Sequence, residues 1–237
     1  MEYNNWRTVP YIDTINKLNS ILLSNNIALC YDEWFWNKDI ASYQCKVYDC
    51  TKAIHSCGKG TSFAACQASG LAEFMERLQG LFIYPRTSST PFFKDEKHLE
   101  GNINQMPWLN LINGEVKNLP YEWDCYLSNG FAAGNTISEA IAHSIAEIVE
   151  RDTLFKYVND DVKFRNTIQL HGELLKRALN IEKYLDGQIT FFDITYYNIP
   201  TVLMMVEPFD APDMILFYLQ SSLSIELAIE RCITESF

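Results

Sequence analysis

Apolar and polar positions alternate with two periods along this chain, and the two periods mark out its elements. Ile12, Ile15, Leu18, Leu22 and Leu23 recur at helical steps and predict a helix from about Tyr11 to Asn26. Ile27–Tyr31 and Gln44–Tyr48 read as short strands, with the aromatic run Glu33–Trp36 between them as a core or interface patch. The glycine-punctuated stretch SCGKGTS leads into a helix expected from about Ser62 to Leu81. From Tyr84 to about Leu119 the chain is rich in Pro, Asn, Ser and Lys, with weak periodicity. It reads as surface loop, with His98 as a solvated residue within it. Tyr121–Leu127 predicts a strand. From Thr136 the residues Ile137, Ile141, Ile145 and Ile148–Val149 keep the helical step. Glu173–Leu185 is amphipathic through Leu174, Leu175, Leu179 and Ile181. Ile189–Thr195, Pro200–Val206 and Met214–Leu219 read as strands, the last two joined by the turn EPFDAPD, and Ser224 opens a final helix.

This order of elements is that of a mixed α/β (α+β) protein, read as a single domain over residues 1–237. Residues 1–50 supply its N-terminal helix and strands, and 85–119 a loop region. With 48% hydrophobic and 14% aromatic residues the chain can bury a core. The net charge of -11 argues against nucleic acid and anionic membrane as partners, since both need clustered Lys and Arg. It does not exclude a nucleotide whose charge is met by bound metal ions. The seven cysteines form no CxxC pair, and Cys45, Cys50, Cys57 and Cys66 match no zinc spacing, so free buried thiols are expected. The N-terminus lacks a signal-peptide pattern and no apolar run reaches membrane-spanning length, which points to a soluble cytoplasmic protein.

The chemistry lies in a pattern that repeats. Thr136 is a candidate N-cap with Glu139 at capping-box spacing, and His143, Glu147 and Glu150 share one side of the helix it opens. At a constant offset Gly60 matches Gly134, Ser69 matches His143, Glu73 matches Glu147, Glu76 matches Glu150 and Arg77 matches Arg151. The last helix is a partial third copy, with Arg231 and Glu235 at the places of His143 and Glu147. Carboxylates gathered from three helices repel one another, and burial penalises each charge further. Hard divalent cations (magnesium, manganese or calcium) would relieve this, and magnesium suggests a polyphosphate. Arg77, Arg151 and Arg231 can bind phosphate or neutralise spare carboxylates, and Lys59 adds a point charge. GKGTS lacks the Walker spacing. Structural ion pairs tying the helices to a sheet account for the repeat equally well.

These segments resemble the YcaO domain family. GKGTSFAACQASGLAEFMERL resembles its SxxxExxER signature through Ser69, Glu73, Glu76 and Arg77. SNGFAAGNTISEAIAHSIAEIVERD is similar to its most diagnostic segment through Asn135, Glu139, Glu147, Glu150 and Arg151, and LAIERCITE to a third through Arg231 and Glu235. The resemblance implies a YcaO-like ATP-binding fold of internally repeated strand–helix units. It implies that Glu73, Glu76, Glu147, Glu150 and Glu235 hold Mg2+, and that Lys59, Ser69, Asn135, Glu139, Arg151 and Arg231 contact ATP. The implied reaction is ATP-dependent activation of a backbone amide in a ribosomally made peptide, giving an azoline heterocycle or, with an external sulfur donor, a thioamide. Family members continue past the third helix, so the sequence reads as C-terminally truncated. With no leader-peptide-binding domain in view, a leader-binding or sulfur-delivering partner protein is expected, and a homodimer stays open. A module that binds nucleotide or partner without catalysis, as half of a split enzyme, is the alternative.

Overall fold

The N-terminal apolar stripe becomes helix α1 (Tyr11–Ser24), which buries Ile15 and Leu22. It leads into a sequential antiparallel meander of β1 (Leu29–Asn37), β2 (Ser42–Asp49) and β3 (His55–Gly60). Helix α2 (Phe63–Ile83) then returns across the sheet. Cys45, Val47, Cys66, Leu71 and Phe74 form a core between α1, α2 and the sheet. The structure is a computed structural model and describes residues 7–51, 54–83, 105–109, 113–120, 130–159, 166–211 and 213–236.

The same arrangement recurs in the second half. Helix α4 (Gly172–Leu185) precedes β7 (Gly187–Asp193), β8 (Thr201–Pro208) and β9 (Leu216–Ser221), again a sequential antiparallel meander, and α5 (Ile225–Glu235) follows. A two-residue strand β6 (Asn166–Thr167) extends this sheet beside β7. Its core joins Ile181, Phe191, Val202, Met204, Ile229 and Ile233. Between the halves lie the hairpin β4 (Gln105–Leu109) and β5 (Val116–Pro120), and helix α3 (Ile137–Val158), which packs on β9.

Several expectations change. The aromatic run Glu33–Trp36 belongs to β1, where a bulge between Asp32 and Phe35 breaks the register and gives Glu33 a φ of 51°. The glycine-punctuated stretch SCGKG that leads into α2 is part of strand β3. Its glycines permit a close approach: a Cβ on Gly58 would lie 2.1 Å from Cys66 O and 2.7 Å from the Gly70 nitrogen, so strand and helix backbones touch. Part of the stretch expected as loop pairs as β4–β5, while His98, like the strand expected at Tyr121–Leu127, lies outside the described residues. The isoleucine stripe of α3 does not face the core. Ala146, Val149 and Thr153 are buried there, whereas Ile137 is 80% exposed and Ile148 47%. Cys45, Cys66 and Cys232 are buried free thiols as expected, but Cys30 and Cys50 are exposed, with sulfurs 3.6 Å apart. Among the described residues no helix is long and apolar enough to cross a membrane.

The two halves meet along α5. The turn between β1 and β2 inserts Ile40 into the second core, and the Ser42 hydroxyl and Gln44 amide donate to Thr234 O at 3.4 and 3.5 Å. Buried Arg177 from α4 fastens this seam, donating to Ile40 O at 2.6 Å and Ala41 O at 3.4 Å and pairing with Glu230 of α5 at 3.5 Å. Removing one member of a buried, hydrogen-bonded charge pair typically loses about 3–5 kcal/mol. Arg177→Ala is therefore expected to lower the denaturation midpoint substantially. Lys176→Ala, at an exposed pair with Glu173, is expected to leave it within experimental error. Paired chemical-denaturation curves check both.

Candidate functional site

Three helices open on the same hydroxyl cap. Ser62 Oγ accepts from Ala65 N–H, Thr136 Oγ1 from Glu139 N–H and Ser224 Oγ from Leu227 N–H, each at 3.2 Å. The cap fixes where each helix begins, and so fixes the angular phase of every later side chain on it. Seven residues on (62 to 69, 136 to 143, 224 to 231) stand Ser69, His143 and Arg231; eleven on stand Glu73, Glu147 and Glu235. Fourteen on stand Glu76 and Glu150. Steps of seven, eleven and fourteen return to within about 60° of one another at 3.6 residues per turn, so each helix presents one chemical edge.

Those edges converge on a cavity of about 710 Å3. Lys59, Ser69, Glu76, Asn135, Arg231 and Glu235 of the expected set line it, together with His143. Lys59 pairs with Glu235, joining β3 to α5. Glu76 accepts from Ala133 N–H in the segment leading to α3. Arg231 donates to Ser221 O at 3.4 Å. Glu73, Glu147 and Glu150 are not among the lining residues. Glu73 takes Cys57 N–H at 3.1 Å and pairs with Arg77, Glu147 lies 3.8 Å from Arg151, and Glu150 accepts from Ser221 N–H at 3.2 Å.

Two expected nucleotide contacts sit differently. Glu139 is buried and fully engaged: it accepts from Thr8 Oγ1 at 2.6 Å, from Thr8 N–H and from Asn135 N–H at 2.9 Å, with Arg7 3.8 Å away. Its capping-box bond goes to the residue before the cap, because the Asn135 N–H is the donor that it reaches. Arg151 is half exposed and does not line the cavity. The N-terminal segment and α1 supply lining residues that no pattern in the sequence marks: Arg7, Tyr11, Thr14 and Lys17, with Thr14 donating to Asn135 Oδ1 at 2.9 Å.

The charges in this region are under stress. Burial raises the Glu76 carboxyl to about 7, helped by the charges of Glu73 and Glu147 and opposed by the Ala133 N–H and Arg77. Burial likewise raises Glu150 to about 7, with Glu235 adding to the rise and Arg231 opposing it. Burial, then the charges of Arg231 and Arg7, lower His143 to about 4, so its imidazole is neutral, with Nδ1 unpartnered. For Glu139 burial pushes upward, but the Thr8 donors, Asn135 N–H and Arg7 prevail, and it titrates below the ordinary carboxyl range.

The donor set suits a hard cation, being carboxylates from three helices that lack enough positive charge to keep all of them ionised. Among the described residues no three His, Cys, Asp or Glu side chains are arranged as ligands. Glu76 and Glu150 each give one oxygen to a backbone N–H, which leaves the second oxygen to other partners.

This fold and cavity define a ligand-binding α/β domain with acidic and cationic walls. Residues 102–237, more than half of the sequence, match the family described as YcaO cyclodehydratase, ATP- and Mg2+-binding, and the chain belongs to that family. Its fold is similar to that of YcaO from Methanopyrus kandleri bound with AMPPCP and Mg2+, with a TM-score of 0.73 and 17% identity over 97% of this chain and 67% of that one. A heterocyclase in complex with substrate and cofactor gives 0.70 and 19%, over 97% of this chain and 39% of that one. The E. coli microcin synthetase McbBCD complex gives 0.59 and 14%, over 87% and 62%. The chain thus spans between 39% and 67% of these proteins' chains, and the likeness is one of fold. No curated protein matches it by sequence.

The raised carboxyls make a pH prediction. A group whose pKa is higher folded than unfolded contributes stability at low pH, and that contribution is lost as pH rises through the folded value. With Glu76 and Glu150 raised from 4.5 to about 7, stability without divalent cations should fall between about pH 4.5 and 7 and level off above. Glu76→Gln and Glu150→Gln should each flatten that decline and, at pH 8, exceed the parent by on the order of 1 kcal/mol. Thermal melts at pH 5 and pH 8 in EDTA test this.

Proposed function

We propose that this domain binds ATP with Mg2+ and activates a backbone amide of a ribosomally made peptide for azoline formation. One observation carries the reading: three helices capped in the same way bring Ser69 and Glu76, His143, and Arg231 and Glu235 to a single cavity that Lys59 also lines, with Glu73, Glu147 and Glu150 at matching steps on the same helices. In this reading the five glutamates hold magnesium, which offsets the burial, and the neighbouring charge, that now raise Glu76 and Glu150. Lys59 and Arg231 face the polyphosphate, with Ser69 and Asn135 as polar contacts. Glu139 acts by fixing Asn135 and the N-terminal segment, and Arg151 by steering Glu147 from outside the cavity.

When bound, magnesium ATP supplies the phosphoryl group that turns the amide oxygen into a leaving group. A Cys, Ser or Thr side chain of the peptide adds to the preceding carbonyl carbon, the resulting oxyanion takes the phosphoryl group, and the C–O bond then breaks with phosphate leaving. The nucleophile and amide nitrogen each lose a proton, so the peptide loses one water, which appears in ADP and phosphate. The protein contributes placement of the two substrates and compensation of charge on the transferring group. If a partner protein delivers sulfide instead, the same activated amide becomes a thioamide.

The second reading is a binding module or half of a split enzyme. The apolar face of α3 favours it, with Ile137 80% and Phe155 66% exposed where a partner chain could pack.

Isothermal titration is expected to show ATP binding only with magnesium present. Glu147→Gln should weaken it at least tenfold, as should Glu235→Gln, while Glu173→Gln on the far helix should not. Absence of binding to the folded protein defeats the ATP-dependent readings. Mass spectrometry of a co-expressed precursor peptide then separates them: loss of water marks azoline, oxygen-to-sulfur exchange marks thioamide, and an unaltered peptide leaves the binding module.

A further inference from the structure

An aromatic shelf stands beside the cavity and has no part in binding ATP or in amide activation. Phe63, the first residue of α2, lies 4.7 Å from the Tyr43 ring, 5.6 Å from Trp34 and 5.8 Å from Trp36, measured between ring centres. Trp34 and Tyr43 are partly buried against the first core, but Trp36 is 51% exposed and Phe63 47%. Large neutral rings gathered on a surface mark a contact site more often than packing requires.

Its position gives the occupant. Trp36 pairs across the sheet with Tyr43, and Tyr43 with Gly60. Gly60 and Thr61 line the cavity, and Phe63 lies two residues beyond Thr61. The shelf and the cavity rim are therefore two strand spacings apart, about 10 Å. An extended peptide covers that distance in about three residues. Moreover, β1 is an outer strand of its sheet, and beyond the bulge its segment Phe35–Asn37 has no strand partner on the far edge among the described residues. An open edge beside an apolar clamp is the arrangement by which sheets receive extended peptides. The four rings of the shelf are uncharged, which suits an apolar or aromatic side chain better than an ionised one.

We propose that Trp36 and Phe63 grip an apolar side chain of the peptide substrate about three residues from the reacting amide, the peptide running extended from the outer edge of β1 across the Tyr43–Gly60 rim into the cavity. The assignment rests on the amide-activation reading and adds a specificity determinant to it. Stacking against the rings, and not contact with the reacting atoms, is the role of both residues.

The test uses synthetic dodecapeptides with one central Cys and one Phe, the Phe placed one to six residues away on either side, each labelled for fluorescence polarisation. With the whole chain, affinity is expected to peak about tenfold when Phe stands about three residues from the Cys on one side. Trp36→Ala and Phe63→Ala should flatten that profile and leave the calorimetric affinity for magnesium ATP unchanged. Trp36, the more exposed, carries the test if Phe63→Ala folds poorly. No binding of any peptide, a profile indifferent to Phe position, or the same profile in both variants overturns the shelf. Mass analysis of the same peptides after incubation with the protein and magnesium ATP tests the underlying reading separately. Peptides held through Trp36 but unaltered in mass support the shelf and defeat amide activation, and conversion with a Trp36-independent profile does the reverse.

Discussion

Three hydrogen bonds of equal length, from helix N–H groups to the hydroxyls of Ser62, Thr136 and Ser224, set the geometry on which the cavity depends. A helix has a fixed angular step, so fixing its first residue fixes the direction of every later one. With α2, α3 and α5 started alike, one spacing of Glu and Arg serves all three. The chain can then vary the residue seven places from the cap (serine, imidazole, guanidinium) without disturbing the acids beyond it.

Acid crowding is the cost of that convergence, and the surrounding structure distributes it. Glu73, Glu76 and Glu150 each take a backbone N–H from another element, and Glu235 takes Lys59 from β3. The same bonds that ease the charges tie β3, β9 and the segment before α3 to the three helices. A carboxylate has two oxygens, so a donor that quiets one of them leaves the other for a cation. Arg177 works differently: its guanidinium joins the two halves through the carbonyls of Ile40 and Ala41 and through Glu230, which itself lines the cavity.

Elements with a strong period could be read from the residues alone. Helices α1, α3, α4 and α5 lie within a few residues of where hydrophobic steps and caps put them. Strand β3 was hidden because Gly58 and Gly60 leave no alternation, their purpose being contact with α2. For α3 the period gave a stripe of isoleucines but not its direction; Ala146, Val149 and Thr153 are the buried residues instead, and His143 lines the cavity. The glutamates were legible as a repeat within helices. Thr8 and Thr14 were not, because they reach the site only through folding, bridging 131 residues of sequence to Glu139 and 121 to Asn135. Local spacing records what one element presents, and carries no trace of a lone residue brought in from a distant one.

Gly58 and Gly70 press β3 against α2 with no atom to spare. A joint of that kind has no compliance, so Lys59, Ser69, Glu73 and Glu76 behave as one solid jaw of a vice. Helices α3 and α5 line the opposing side of the cavity. The bolt on that side is the grip of Thr8 on Glu139.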